Sequence, residues 1–355
     1  MTKQRIFGLD LLRALAIIQV VLGHGSFLLE KSLFAGFPFV KMYDGVDLFF
    51  VLSGFLIGGI LLKTINQTEF KISNLFNFWI RRWFRTLPNY YLILLLNYLV
   101  VKYGIINEDI NQFNLSFIFF THNFNAPFYG FFWESWSLSV EEWFYIFTPI
   151  FIFAFIKLFS PKKAFFLVAL LMILGPLLYR MYLFNVNGDS YHFNFMLRKT
   201  VLCRLDSIGY GLLAAYIYLY KSKIWNFYKW ISLIIGIGLL LFLLNFRFAY
   251  SSFFQQVFFL SLSPISFMLL LPLMNDFKTL NGFVGRVIEH ISKISYSMYL
   301  INLALVAEVI RDNFTPVNAN DAVLKYLIYW AIVILGSTLL YRFFEKPITS
   351  LRDKF

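Results

Sequence analysis

Arg13 and His24 fall on one face of the first long apolar segment, residues 9–29, where a bilayer tolerates few charges. Eleven residues at 3.6 per turn is close to a whole number of turns, which sets the two side chains roughly 16 Å apart along one helix face. An imidazole at that depth can take and return a proton, and a guanidinium can hold an anion or a developing negative charge. Carboxylates collect at the level of His24. Asp47 opens the second apolar run in Gly45-Val46-Asp47-Leu48-Phe49-Phe50. Glu141 and Glu142 follow Trp136-Ser137-Leu138-Ser139-Val140, and Arg204 and Asp206 enter a later run. An imidazole among carboxylates is the equipment of general acid–base chemistry. At the opposite membrane level, Phe78-Trp79-Ile80-Arg81-Arg82-Trp83-Phe84-Arg85 sets three guanidiniums among aromatic rings. Arginine forks suit phosphate, and the rings suit a nucleobase or the headgroup region.

Each of these residues has a structural explanation when taken alone. A membrane histidine can bond a neighbouring helix, and Arg13 can snorkel to the interface. Arginines before a span are ordinary topology anchors, and Asp206 can form an ion pair with Arg204. Their segregation into an acid–base level and a phosphate-binding level favours a functional reading.

The elements that must position these groups follow from composition. Apolar residues make up 59% of the chain and charged ones 14%, so it reads as a polytopic all-α integral membrane protein. Ten spans are expected, at about 9–29, 45–64, 86–103, 143–159, 163–185, 200–220, 224–245, 254–275, 288–310 and 323–344. A stretch at 113–120 is too short to cross and is expected to be re-entrant or interfacial. The 46 Phe and 21 Tyr fit lipid-facing surface and interfacial belts. With the N-terminus in the cytoplasm, twenty Lys and Arg lie on the inner side and nine on the outer, with Arg13 and Arg204 inside spans. That bias puts both termini in the cytoplasm. The formal charge of +12 then reflects inner loops and anionic lipid, and no nucleic-acid partner is expected. Cys203 is the only cysteine, which excludes an internal disulfide and a thiolate cage, and no metal site is expected. The first span carries Arg13 and His24 and lacks an A-x-A-like site, so it does not read as a cleavable signal. Without repeats or long linkers, residues 1–355 read as one transmembrane domain.

Taken together, the motifs resemble the acyltransferase-3 family of bacterial membrane acyltransferases. The likeness rests on Arg13 and His24, on Gly45-Val46-Asp47 through Ser53-Gly54-Phe55-Leu56-Ile57, and on Arg82 and Arg85 before Pro88. It continues through Trp136-Ser137-Leu138-Ser139-Val140-Glu141 with Phe144, Tyr145 and Pro149, and through Arg204-Leu205-Asp206 with Gly209 and Gly211. It ends with Ser295-Tyr296-Ser297-Met298-Tyr299-Leu300 and Tyr341-Arg342-Phe343-Phe344-Glu345-Lys346-Pro347. One departure stands out: many members follow the Ser-Tyr-Ser run with a histidine, and this chain has Asn302. Such proteins modify envelope polysaccharides, peptidoglycan and related glycosides, and this chain resembles the stand-alone form without a hydrolase-like extension. The resemblance implies an O-acyltransferase of the bacterial cytoplasmic membrane that uses acyl-CoA, most often acetyl-CoA, as donor substrate and holds no permanent cofactor. Its acceptor would be a carbohydrate or glycolipid hydroxyl. His24, Asp47, Glu141 and Arg13 are the expected catalytic residues, and Arg81, Arg82 and Arg85 the expected acyl-CoA clamp. Arg204, Asp206, Asn302 and Glu345 are expected to support them. Direct transfer and an acyl-enzyme both stay open, as do the acceptor, the acyl length and the oligomeric state. A proton-coupled exporter or flippase of a lipid-linked glycan would use the same intramembrane charges, but the repeat symmetry common in transporters is missing. A lipid-binding sensor has only the basic inner face in its favour.

Overall fold

The computed structural model describes residues 5–32, 34–35, 44–67, 71–128, 130–187, 196–246 and 249–351. Among them the secondary structure is helical throughout, with no strand. Ten long helices organise the chain: α1 (Phe7–Gly25), α2 (Gly45–Gln67), α3 (Ile72–Lys102), α4 (Ser135–Ile156), α5 (Pro161–Asn187), α6 (Leu205–Tyr220), α7 (Lys229–Asn245), α8 (Leu260–Asp276), α9 (Phe283–Ile301) and α10 (Ala319–Leu340). Seven helical stretches, those carrying α1, α2, α4, α5, α8, α9 and α10, are long and apolar enough to cross a membrane. This makes the chain a multi-pass membrane protein. The other three expected spans fall on α3, α6 and α7. Helices α6 and α7 have only 16 and 17 residues. Helix α3 begins at Ile72, well before the expected start at residue 86, because the aromatic residues among the arginines continue its apolar face. Arg81, Arg82 and Arg85 are therefore part of the helix rather than of a loop before it. The 113–120 stretch contains only a short helix, Leu115–Ile118, with Leu115 and Phe119 exposed.

Glycine sets the closest approach in the bundle. A Cβ on Gly54 would sit 2.1 Å from the carbonyl oxygen of Ile208, and one on Gly211 would sit 2.3 Å from that of Val51. Small residues on both sides let α2 and α6 pack backbone against backbone, as interhelical contacts in membranes commonly require. Two buried ion pairs fix the same region. Arg204 at the start of α6 pairs with Asp47 of α2, and Arg180 of α5 pairs with Asp206 at 2.8 Å. Ser261 donates to Asp206 at 2.7 Å. Arg204 and Asp206 thus do not pair with each other: two residues apart at the start of α6, they point to nearly opposite sides, Arg204 toward α2 and Asp206 toward α5.

Two π-helical segments interrupt the regular ladder beside the candidate residues. One, Asn302–Glu308, directly continues α9, and the other, Tyr341–Glu345, follows α10. Each carries a candidate residue, Asn302 or Glu345. The extra residue in a π turn re-aims side chains, and such turns recur at functional sites.

Candidate active site

Helices α1, α2, α3, α4 and α9 line a partly open cavity. One part of its wall is cationic: Arg13 from α1 and Arg82 and Arg85 from α3 line it, with Glu141 of α4. Phe49, Phe50, Leu52, Leu56 and Ile57 of α2 add apolar surface, and Tyr145, Tyr296 and Tyr299 line the cavity together with Ser53 and Ser137. Four sequence-expected site residues thus meet in one space although they come from three helices.

The arginines are aimed by the bonds that tie α3 to its neighbours. Thr86 Oγ1 donates to Glu142 at 2.7 Å, Tyr296 Oη donates to the Thr86 carbonyl at 2.8 Å, and Trp79 Nε1 donates to the Tyr145 carbonyl at 2.9 Å. One turn further, Asn89 Nδ2 donates to Glu345 at 3.0 Å, and Ser297 Oγ donates to the same oxygen at 2.6 Å. These bonds hold one stripe of α3 against α4, α9 and the Tyr341–Glu345 turn, and Arg82 and Arg85 share that stripe at i, i+3 and i+4 spacing. Arg81 lies about 100° round the helix and is exposed, so it is not part of the cavity wall. Glu345 is a buried anchor of α3. Glu141 is held differently: Tyr145 Oη donates to it at 3.2 Å and lies 3.2 Å from Ser53 Oγ, giving a short hydroxyl–carboxylate chain on the wall.

The expected acid–base level is divided in the structure. Glu141 stands with the arginines. Asp47 is 2% exposed and committed to Arg204, with Ser207 Oγ donating to it at 3.3 Å. Neither orients His24, because that role falls to Asn302. His24 Nδ1 lies 2.6 Å from Asn302 Oδ1, while Asn302 Nδ2 donates to the carbonyls of Met298 and Tyr299 at 2.8 Å each. Those two donations fix the amide orientation and leave only its oxygen facing the imidazole. His24 Nδ1 therefore carries the hydrogen, and Nε2 carries the lone pair of a base. The Tyr299 carbonyl that anchors Asn302 belongs to a residue of the cavity wall, so His24 is one partner removed from that space.

Sequence reasoning alone missed several residues. Ser53, Tyr145, Tyr296 and Tyr299 were visible only as parts of longer motifs. Arg180, fully buried in α5, gave no signal beyond its charge inside an apolar run.

Residues 6–342 match the family described as Acyltransferase domain, and the chain belongs to that family. A Staphylococcus aureus (strain COL) protein provisionally named an O-acetyltransferase is 28% identical over 374 residues, covering 96% of this chain and 56% of the relative. The peptidoglycan O-acetyltransferase OatA of Listeria monocytogenes is 31% identical over 169 residues, covering 44% of this chain and 25% of the relative. YrhL of Bacillus subtilis (strain 168), provisionally named a peptidoglycan O-acetyltransferase, is 30% identical over 200 residues, covering 51% of this chain and 29% of the relative. The chain thus spans little more than half the length of the Staphylococcus relative. No solved structure matches it.

Proposed function

We propose that the protein is a membrane O-acyltransferase that moves an acyl group, acetyl in the simplest case, from cytoplasmic acyl-CoA to a hydroxyl of an envelope or exported carbohydrate. One observation carries this reading: a single cavity joins three guanidiniums, from Arg13, Arg82 and Arg85, to apolar surface and to Tyr299, whose backbone anchors the Asn302–His24 pair. The cationic part suits the phosphates of CoA, with Arg13 taking the place in the clamp that Arg81 was expected to fill. The acyl-pantetheine arm runs along Phe49, Leu52 and Leu56 toward Tyr299. His24 Nε2 removes the proton of the acceptor hydroxyl as its oxygen attacks the thioester carbonyl, and the thiolate leaves. A cation or amide beside that carbonyl steadies the developing oxyanion.

This function fits ten crossings of the bacterial cytoplasmic membrane with both termini inside. The donor then arrives from the cytoplasm, and the acceptor is met at the outer level. The names of the relatives point to peptidoglycan as the first acceptor to try. The experiment is incubation of purified, nanodisc-embedded protein with labelled acetyl-CoA, with and without glycan acceptors. Label transfer or donor hydrolysis supports the proposal. Inertness of the wild type toward donor and acceptors, with labelled donor failing to bind, overturns it.

A further inference from the structure

Beyond the cavity and the Arg180–Asp206 ion pair, two carboxyls each keep one buried oxygen without a hydrogen-bond partner among the described residues: Glu134 Oε2 and, in a half-buried side chain, Glu108 Oε1. Glu134 precedes α4 and is 1% exposed. Its Oε1 accepts the Ala304 N–H at 3.2 Å, two residues after the Asn302 that holds His24. Its carbonyl accepts Tyr299 Oη at 3.1 Å, and Tyr299 Oη lies 2.5 Å from Ser137 Oγ on the cavity wall. Glu108 Oε2 accepts the Phe132 N–H at 2.8 Å. Phe132 points that N–H from a backbone φ of 45°, a left-handed conformation uncommon for a bulky residue. Asn97 of α3 is fully buried and interacts with Glu108, yet neither of its amide atoms makes a well-formed hydrogen bond. Four unsatisfied polar atoms in one buried region is an arrangement that folded proteins resolve with ordered water or a shared proton.

We propose that Glu108 and Glu134 form a proton-binding site, in which one proton is held between the two carboxyls through water and the Asn97 amide, and that this site carries protons between the cavity and the protein surface. Two carboxylates in so enclosed a place do not both ionise. Burial and the charge of Glu108 push Glu134 up to about 8. Burial, Glu308 and Asp312 push Glu108 up to about 7 against the opposing Phe132 N–H. The other titratable groups facing the pair are Lys199, Tyr299 and Tyr329, with Arg311 paired to Glu308. The carrier role rests on the acyl-transfer reading; the binding of the proton does not. In that role the acceptor O–H and thioester C–S bonds break and the ester C–O bond forms. His24 passes the hydroxyl proton to the pair, which releases one proton to water through the partly exposed Glu108. The thiolate takes a proton from the aqueous phase as it leaves.

Infrared difference spectroscopy of the nanodisc-embedded full chain, titrated with pH, reads the site without any turnover. The wild type should show a protonated carboxyl at pH 7 that ionises in two steps. Glu108→Gln and Glu134→Gln should each leave one step, at least about one pH unit below the wild-type upper step. Absence of a protonated carboxyl at pH 7, or an upper step unmoved by Glu108→Gln, overturns the shared proton. If Glu134→Gln does not fold, Glu108→Gln at the more exposed member carries the test. Glu108→Gln should also slow transfer at least about tenfold while leaving acetyl-CoA binding unchanged. Unchanged turnover removes the carrier role. A wild type that neither transfers nor hydrolyses nor binds the labelled donor removes the acyl-transfer reading and leaves the infrared result standing.

Discussion

Asp47→Ala should destabilise the protein strongly, and the cause is the partner left behind. Asp47 is 2% exposed and Arg204 is 0% exposed, and Arg204 Nε already has no hydrogen-bond partner among the described residues. Removing the carboxylate buries an unpaired guanidinium, a change that costs about 3–5 kcal/mol. At ~2.1 cal/mol/K per residue, a chain of 355 residues has an unfolding entropy of about 0.75 kcal/mol/K. The midpoint should therefore fall by about 4–7 °C. The paired replacement Asp47→Leu with Arg204→Met removes both charges and keeps similar volume, so it should regain most of the loss. Thermal unfolding in nanodiscs measures the three proteins, and acetyl transfer is followed in parallel. The double variant should retain turnover if the pair only locks α2 to α6. A double variant that is fully stable and catalytically dead would refute the reasoning and return Asp47 to the chemistry.

His24→Ala should abolish transfer with folding and acetyl-CoA affinity intact; near-normal turnover would exclude a base role. Arg82→Ala with Arg85→Ala should weaken binding of a non-hydrolysable acyl-CoA at least about tenfold, since each charge-assisted bond to phosphate contributes about 1.5–3 kcal/mol. Arg81→Ala, on the exposed side of α3, should leave that affinity nearly unchanged in the same titration calorimetry. Reporters fused at residues 1, 70, 162, 222 and 355 should read cytoplasmic and those at 35, 110, 188 and 318 external, and a cytoplasmic reading at 110 would invert the proposed route of the donor. Glu134 contributes a pH dependence of known sign. Its folded value near 8 exceeds the ordinary 4.5, so the neutral acid's stabilisation is full below pH 4.5 and is lost as pH rises toward 8. Glu134→Gln should flatten that decline in chemical-denaturation curves measured across the interval.

Helix positions were legible because bilayer-length apolar runs have no other economical fold in lipid, and every expected span fell on a helix. Their boundaries were less legible: aromatic residues between the arginines let α3 begin at Ile72, and no hydropathy window separates a helix turn in water from one in headgroups. The meeting of Glu141 with Arg13, Arg82 and Arg85 was not legible from depth: position along the spans put Glu141 beside His24 at the outer level and Arg82 and Arg85 at the opposite one, whereas the folded chain brings them to one cavity. Partner choice was not legible either. Whether Asp47 meets His24 or Arg204 depends on which face of α2 packs on α6, and that is decided by the reciprocal Gly54 and Gly211 contacts, between positions far apart in sequence. The same limit hid Glu134, whose significance lies in a π turn of a helix 170 positions later.

The Asn302 departure from the family pattern acquires a meaning from these contacts. A histidine at that position could present either a donor or an acceptor to His24, according to its own tautomer, and so would leave the site two protonation patterns. An amide whose nitrogen is already spent on the Met298 and Tyr299 carbonyls has only its oxygen to offer. It accepts from Nδ1 and cannot donate to it, which fixes the lone pair on Nε2. The Met298 carbonyl also accepts the Asn302 backbone N–H, so it takes two hydrogen bonds from this one residue, where the π segment opens. With Asn302 the site therefore holds a single imidazole whose lone pair is fixed on Nε2, and the Ala304 N–H two residues further on ties the same π segment to Glu134.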